Sequence, residues 1–216
     1  VGASATVSTL SRYLEPLGID LTITQLMGGL GQMIHSADPV MLVQSLSHAL
    51  GATGVCLHLP ALLPTREFCE RLLAQSEEYR AVQDLWSRAA FALIGVGGVD
   101  DRATFLQVGF LRSTDMAEIR NRGGIGDIMG RFFDIHGNFI PCEFYDRMVV
   151  IPLNKLFSIQ HVIAIASGPD KVRPLIGALK TRLIKWLMTD ETTAIDLLEE
   201  VTHRDSSRLS ATIREV

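Results

Sequence analysis

Apolar residues recur along this chain with two spacings that take turns. Val7, Leu10 and Leu14 share one helical face, so Ala5 to Leu14 predicts a helix, stopped by Pro16 and Gly18. Leu21 to Met27 is apolar and β-branched and predicts a strand running into Gly28-Gly29-Leu30-Gly31, a loop whose backbone a ligand can approach closely. Asp38 and Pro39 read as the N-cap and first residue of a helix carrying Met41, Leu42, Leu46 and Leu50, closed by Gly51. Gly54 to Leu59 predicts the next strand and Thr65 to Ser87 two helical stretches. Phe91 to Val96 predicts an apolar strand of the kind buried on both faces. Met148 to Ile151, Val162 to Ala166 and Ile184 to Met188 predict further strands, with helices over Asp170 to Thr181 and Glu191 to Val201. Short apolar strands followed by amphipathic helices are the mark of parallel βαβ units. The expected fold is therefore α/β, a Rossmann-like twisted, mostly parallel sheet with helices on both faces. No repeat, linker or composition shift marks a second domain, so one domain is expected over residues 1–204, with 205–216 as a polar tail.

Composition narrows the class. Hydrophobic residues make up 47 % of the chain and charged ones 20 %, with mean hydropathy +0.24, which fits a globular protein and excludes a disordered or low-complexity one. The net charge is −4 and the 16 Arg and 4 Lys are scattered, so the chain carries no nucleic-acid footprint; any DNA contact is expected from another segment. The longest apolar run, Ala89 to Val99, is broken by glycines and falls short of the ~18 residues of a membrane span, so no membrane partner is expected. VGASATVSTL has no initiating Met and no basic leader, which reads as a fragment or a processed product rather than a signal peptide. Cys56, Cys69 and Cys142 are odd in number and widely spaced, which suits free thiols in a cytoplasmic protein.

In an open α/β sheet the ligand sits beyond the C-terminal strand ends, so the residues just after each strand carry the information. Gly2-Ala3-Ser4-Ala5-Thr6 opens a helix, where backbone N–H groups and two hydroxyls suit an anion. A plain Ser/Thr N-cap is the alternative. The same residues miss the nucleophile elbow of hydrolases, because Thr6 stands at its last glycine and no strand precedes it. Gly123 to Gly130 (GGIGDIMG) fails the dinucleotide fingerprint at Met129 and reads as a glycine-rich loop, which offers Asp127 as a carboxylate able to accept two polyol hydroxyls; a helix cap from Ile128 is its other reading. Lys171 follows Ser167-Gly168-Pro169-Asp170 in a first helical turn, where the dipole disfavours a cation. That placement suits a ligand contact or an ion pair with Asp170 or Asp190. No pairing among His35, His48, His58, His136, His161 and His203 supports a metal, and Asp134 to Asn138 reads as a hairpin turn on Gly137-Asn138 rather than an acid/base pair.

Taken together these stretches resemble the effector-binding domain of SorC-type (DeoR-like, sugar-binding) bacterial transcriptional regulators. The resemblance spans nearly the whole chain. It rests on GGIGDIMGRFFDIHGNF (Gly123 to Phe139), on the run from Ile165 through LMTDETTA to Leu198, and on LHLPALLPTRE and LIGVGG in the same order. It implies a phosphosugar-isomerase-like fold without enzymatic activity, no cofactor, and a phosphorylated sugar or polyol as effector. It further implies a homodimer or homotetramer, and DNA binding through a helix-turn-helix upstream of this chain. By the same resemblance Ser4 and Thr6 match a phosphate loop, Asp127 a residue that holds sugar hydroxyls, and Lys171 a lysine near the phosphate or carbonyl end. Gly29, Gly97 and Phe133 would line the pocket. The chain departs from the family pattern at Ser167-Gly168-Pro169, Thr181-Arg182 and Gly123-Gly124. A phosphosugar isomerase or deaminase on the same fold is the competing expectation; it needs a general base near the sugar carbons, and the residues around Asp127 offer no convincing acid/base pair.

Overall fold

A computed structural model describes residues 1–31 and 38–214. The chain begins with α1 (Ala5–Leu10), β1 (Thr22–Thr24), α2 (Pro39–Leu50), β2 (Thr53–Val55), α3 (Arg66–Gln75), α4 (Glu77–Arg88) and β3 (Phe91–Ile94). Next come β4 (Gly97–Gly98), α5 (Thr104–Gln107), α6 (Ser113–Asn121), β5 (Gly124–Ile128) and β6 (Arg131–Asp134). It ends with α7 (Leu153–Ser158), β7 (His161–Ile165), α8 (Val172–Lys180), β8 (Trp186–Met188) and α9 (Glu191–Arg214).

Two parallel ladders, β1-β2 and β3-β7-β8, are joined by the backbone of Val1 and Gly2. The Val1 carbonyl accepts the Leu26 N–H and the Gly2 N–H donates to the Leu93 carbonyl, each at 2.8 Å. Strand order therefore reverses at Val1–Gly2, with β1 and β2 to one side and β3, β7 and β8 to the other, the arrangement that opens a crevice at its C-terminal edge. Helices cover both faces. Val7, Leu42 and Leu46 of α1 and α2 pack on Ile165, Leu93 and Ile163. The opposite face, with Ala92, Ile94, Val162 and Ala164, belongs to the main core, which also takes in Val82 and Trp86 of α4, Leu156 of α7 and Leu175 of α8. The expected mostly parallel α/β sheet is the one found.

Several boundaries differ, each for a local reason. The strand expected over Leu21 to Met27 pairs regularly only to Thr24. Beyond it the Gln25 side chain replaces the backbone ladder, donating Nε2 to the Leu57 carbonyl at 2.8 Å and accepting the Leu57 N–H at 3.0 Å. Met148 to Ile151, expected as a strand, makes isolated antiparallel bridges instead, Met27 to Val150 and Leu62 to Met148, wedged between two neighbouring segments. Phe91 to Val96 is covered on both faces from Ala92 onward, but its first residue is not: Phe91 is 63 % exposed, with the His161 ring stacked on it at 4.8 Å. The helix expected over Glu191 to Val201 continues to Arg214, through the segment read as a tail.

The largest departure lies between β3 and β7. Here the chain leaves the parallel sheet and forms an antiparallel one, β4-β5-β6, across which α8 packs. Gly123 to Gly130 was expected as a loop and is instead the central strand of that sheet. The expected turn at Gly137-Asn138 is present, with the Gly137 N–H on the Asp134 carbonyl at 3.0 Å.

Candidate functional site

Ser4, Gly95, Gly97, Asp127 and Lys171 converge where the parallel sheet ends and the antiparallel sheet begins. Ser4 caps α1, its Oγ accepting the Val7 N–H at 3.2 Å, as its plainer reading proposed; its hydroxyl proton is left to donate elsewhere. Gly95 leaves β3 directly beneath it, and a methyl group there would lie 2.7 Å from Ser4 Oγ. Gly97 pairs with Asp127 across β4 and β5. A Cβ on Gly97 would fall 1.9 Å from Asp127 Oδ1, so only glycine lets the carboxylate occupy this position.

Asp127 is 5 % exposed, and its Oδ2 accepts the Gly130 N–H at 2.8 Å across the tight turn of the β5–β6 hairpin. Burial pushes its carboxyl up to about 6, opposed by the Gly130 hydrogen bond and the positive charge of Lys171. It does not cap a helix from Ile128. Lys171 ends the short turn Pro169–Lys171 at the mouth of α8, three-quarters buried, with Nζ 3.8 Å from Asp170 Oδ2. The expected ion pair with Asp170 is thus present, and the electrostatic reach of Lys171 extends to Asp127.

The remaining expected residues lie differently. Thr6 is exposed on the first turn of α1. Gly29 is tied to Leu59 and Ala61 by backbone hydrogen bonds, and a side chain there would meet Asp38, Val40 and Leu59, none of them in the Asp127 group. Phe133, expected to line the pocket, is fully buried on β6 opposite Gly126, with its ring against Gly126 and Gly177. A cavity of about 580 Å³ adjoins the group through Gly98 and Asp170, lined also by Arg120, Gly124, Ile125 and Arg173. None of the expected ligand-binding residues Ser4, Thr6, Gly29, Gly97, Asp127, Phe133 and Lys171 lines that cavity, although Asp170, the expected ion-pair partner of Lys171, does. Among the described residues no cluster of His, Cys, Asp and Glu is disposed to hold a metal, and no helix is long and apolar enough to cross a membrane.

With this geometry in place, comparison with known proteins is decisive. The family described as “Putative sugar-binding domain” matches residues 1–199. The chain belongs to this sugar-binding domain family. It is 28 % identical over 199 residues to the erythritol catabolism regulatory protein EryD of Brucella abortus (strain 2308), covering 92 % of this chain and 62 % of that protein. The deoxyribonucleoside regulator of Bacillus subtilis (strain 168) is 25 % identical over 204 residues, covering 93 % and 64 %. The crystal structure of the full-length sorbitol operon regulator SorC of Klebsiella pneumoniae superposes with a TM-score of 0.81 at 25 % identity, over 91 % of this chain and 64 % of that one. The sugar-binding domain thus spans under two thirds of these relatives, which are transcriptional regulators by name.

Sequence reasoning missed the residues that hold the Lys171 loop. Asp190 and Thr193 both lie in LMTDETTA, a stretch that carried the resemblance; Thr193 had been given no role there, and Asp190 only that of a candidate ion-pair partner of Lys171. The D-x-x-T spacing just before a helix is a capping pattern, and it was the available signal.

Proposed function

We propose that this sugar-binding domain is the effector-sensing part of a transcriptional regulator and takes a phosphorylated sugar or polyol. The observation that carries the reading is the buried Asp127 carboxylate, set between Gly97 and Gly130 at the sheet's switch point and faced by Lys171. A buried carboxylate with acceptor capacity left over suits hydroxyl donors, and a nearby lysine suits a phosphate or carbonyl oxygen. Ser4 and Thr6 would add hydroxyl donors to the phosphate, with Gly97 giving the ligand access to the backbone. The adjoining space of about 580 Å³ is of the size that small-molecule sites use. Effector occupancy would shift the equilibrium between oligomeric states of a cytoplasmic dimer or tetramer, and with it the DNA affinity of an upstream helix-turn-helix, by about 1–3 kcal/mol. The regulators named among the relatives, for erythritol catabolism and the sorbitol operon, support a polyol-derived effector.

The test is a thermal-shift screen of the 216-residue chain against sugars, polyols and their phosphates. A shift with one phosphorylated compound, lost in Asp127→Ala and Lys171→Ala variants that remain folded, is the expected result. A flat screen across phosphorylated tetritols, pentoses and hexitols would overturn the reading. One observation favours a second reading: a carboxyl raised to about 6 is poised for proton transfer, as an isomerase base must be. Turnover of an aldose or ketose phosphate that Asp127→Ala abolishes would decide for the enzyme.

A further inference from the structure

Lys171 ends a single short turn, Pro169–Lys171, on a segment that belongs to neither the sheet nor α8. Between the end of β7 and the start of α8 the chain runs through Ser167, Gly168, Pro169 and Asp170, and Gly168 has a φ of 114°. That backbone is held from outside, by the N-terminal end of α9. The Thr193 hydroxyl accepts the Gly168 N–H at 2.8 Å, and Thr193 is 1 % exposed. Its own N–H donates to Asp190 Oδ1 at 2.7 Å. The Asp190 carboxylate also receives the hydroxyls of Thr193 and Ser167, and these hydrogen bonds hold its carboxyl below the ordinary carboxylate range. On the other side of the latch the Gly168 carbonyl accepts the Lys171 N–H at 3.0 Å. One unbroken chain of hydrogen bonds therefore runs from Asp190 through Thr193 and Gly168 to the backbone of Lys171. The charged groups around the Lys171 side chain are Asp170, itself paired with Arg102 at 3.6 Å, and Asp127.

We infer that Thr193, supported by Asp190, is a positioning residue that latches the Ser167–Lys171 loop to α9 and so sets where the Lys171 ammonium stands relative to Asp127. The inference deepens the proposed function and rests on it for its meaning, since Lys171 matters there as a ligand group. It gives α9 a task beyond packing. The helix that holds the loop also turns Ile195, Leu198 and Val201 outward, 48 %, 71 % and 45 % exposed, so a change in the loop reaches a helix with an apolar outer stripe.

The deciding measurement needs no effector. The chain has only 4 lysines, so reductive ¹³C-methylation gives few lysine signals, and Lys171→Arg identifies the one from Lys171. In the wild-type chain the Lys171 signal should show a step near pH 6 as Asp127 takes up its proton. Thr193→Val, which keeps the shape and removes the hydroxyl, should abolish that step or cut it by more than half, whereas Thr193→Ser should retain it. Should Thr193→Val fail to fold, Asp190→Ala is read by the same criterion. An unchanged step in the folded Thr193→Val or Asp190→Ala chain, or no step in the wild type, overturns the latch. Where sorbitol 6-phosphate or another panel compound binds, calorimetry should find it about tenfold weaker in Thr193→Val and restored in Thr193→Ser. A panel in which nothing binds counts against the effector reading, while the lysine titration still decides the latch.

Discussion

A carboxylate kept out of water is costly unless something draws on it, and Asp127 is such a group. Its folded-state carboxyl, raised from 3.8 to about 6, binds a proton more readily than in the unfolded chain, so its contribution to stability is fully present below about pH 4 and is lost as the pH rises through 6. The displacement corresponds to about 3 kcal/mol as an upper limit. Asp127→Asn should therefore raise the thermal midpoint at pH 7.5, with the gain shrinking towards pH 4, while effector binding is lost; calorimetric melts at the two pH values check this. Effector affinity of the wild type should fall as the pH drops below 6, because a protonated carboxyl has lost acceptor capacity, and titrations between pH 5 and 8 read it directly. Asp127 itself was legible in the sequence, as the one acid within GGIGDIMG. Its burial was not. Glycines contribute no side chains to a hydrophobic period, so the strand that buries it has no alternating signal to read.

Elements here are placed by how closely their backbones approach. In α8, Gly177 lies against the antiparallel sheet, and a Cβ there would stand 2.7 Å from the Asp134 carbonyl and 3.0 Å from the Phe133 ring. Gly177→Ala should therefore lift α8 from β5 and β6, costing about 1–3 kcal/mol, and weaken effector binding although Gly177 lies between one and two helical turns from Lys171. Paired melts and binding titrations test it, and a variant with normal affinity would show that Lys171 does not follow the helix. The same close packing explains what sequence patterning could and could not supply. Strands β3, β7 and β8 are apolar and were legible as strands. The exposure of Phe91 was not, because whether a strand's first residue is covered depends on where the helices lie, which no local window contains.

At the scale of the whole molecule the charge distribution and the site point the same way. With a net charge of −4 and its basic residues scattered along the sequence, this chain alone should give no gel shift with operator DNA at 50 mM salt, where phosphate contacts are strongest; a clear shift would mean that it reads DNA itself. Effector at 100 times its Kd should stabilise the folded chain by about 2.7 kcal/mol, several degrees in midpoint for a domain of this size, and a concentration series of melts measures it. Motif order along the chain made the family legible, whereas the loop latch was not, because its two halves stand 25 residues apart and meet only in the fold.

The two tryptophans differ sharply in their surroundings. Trp86 is 1 % exposed and donates its indole N–H to the Gln25 carbonyl at 2.8 Å, whereas Trp186 on β8 is 59 % exposed beside His161. Their emission should separate into a blue, unquenchable component and a red one open to acrylamide. The chain thus carries its own optical reporter: loss of the blue component follows unfolding of the core, and protection of the red one follows whatever comes to cover the bare end of the sheet.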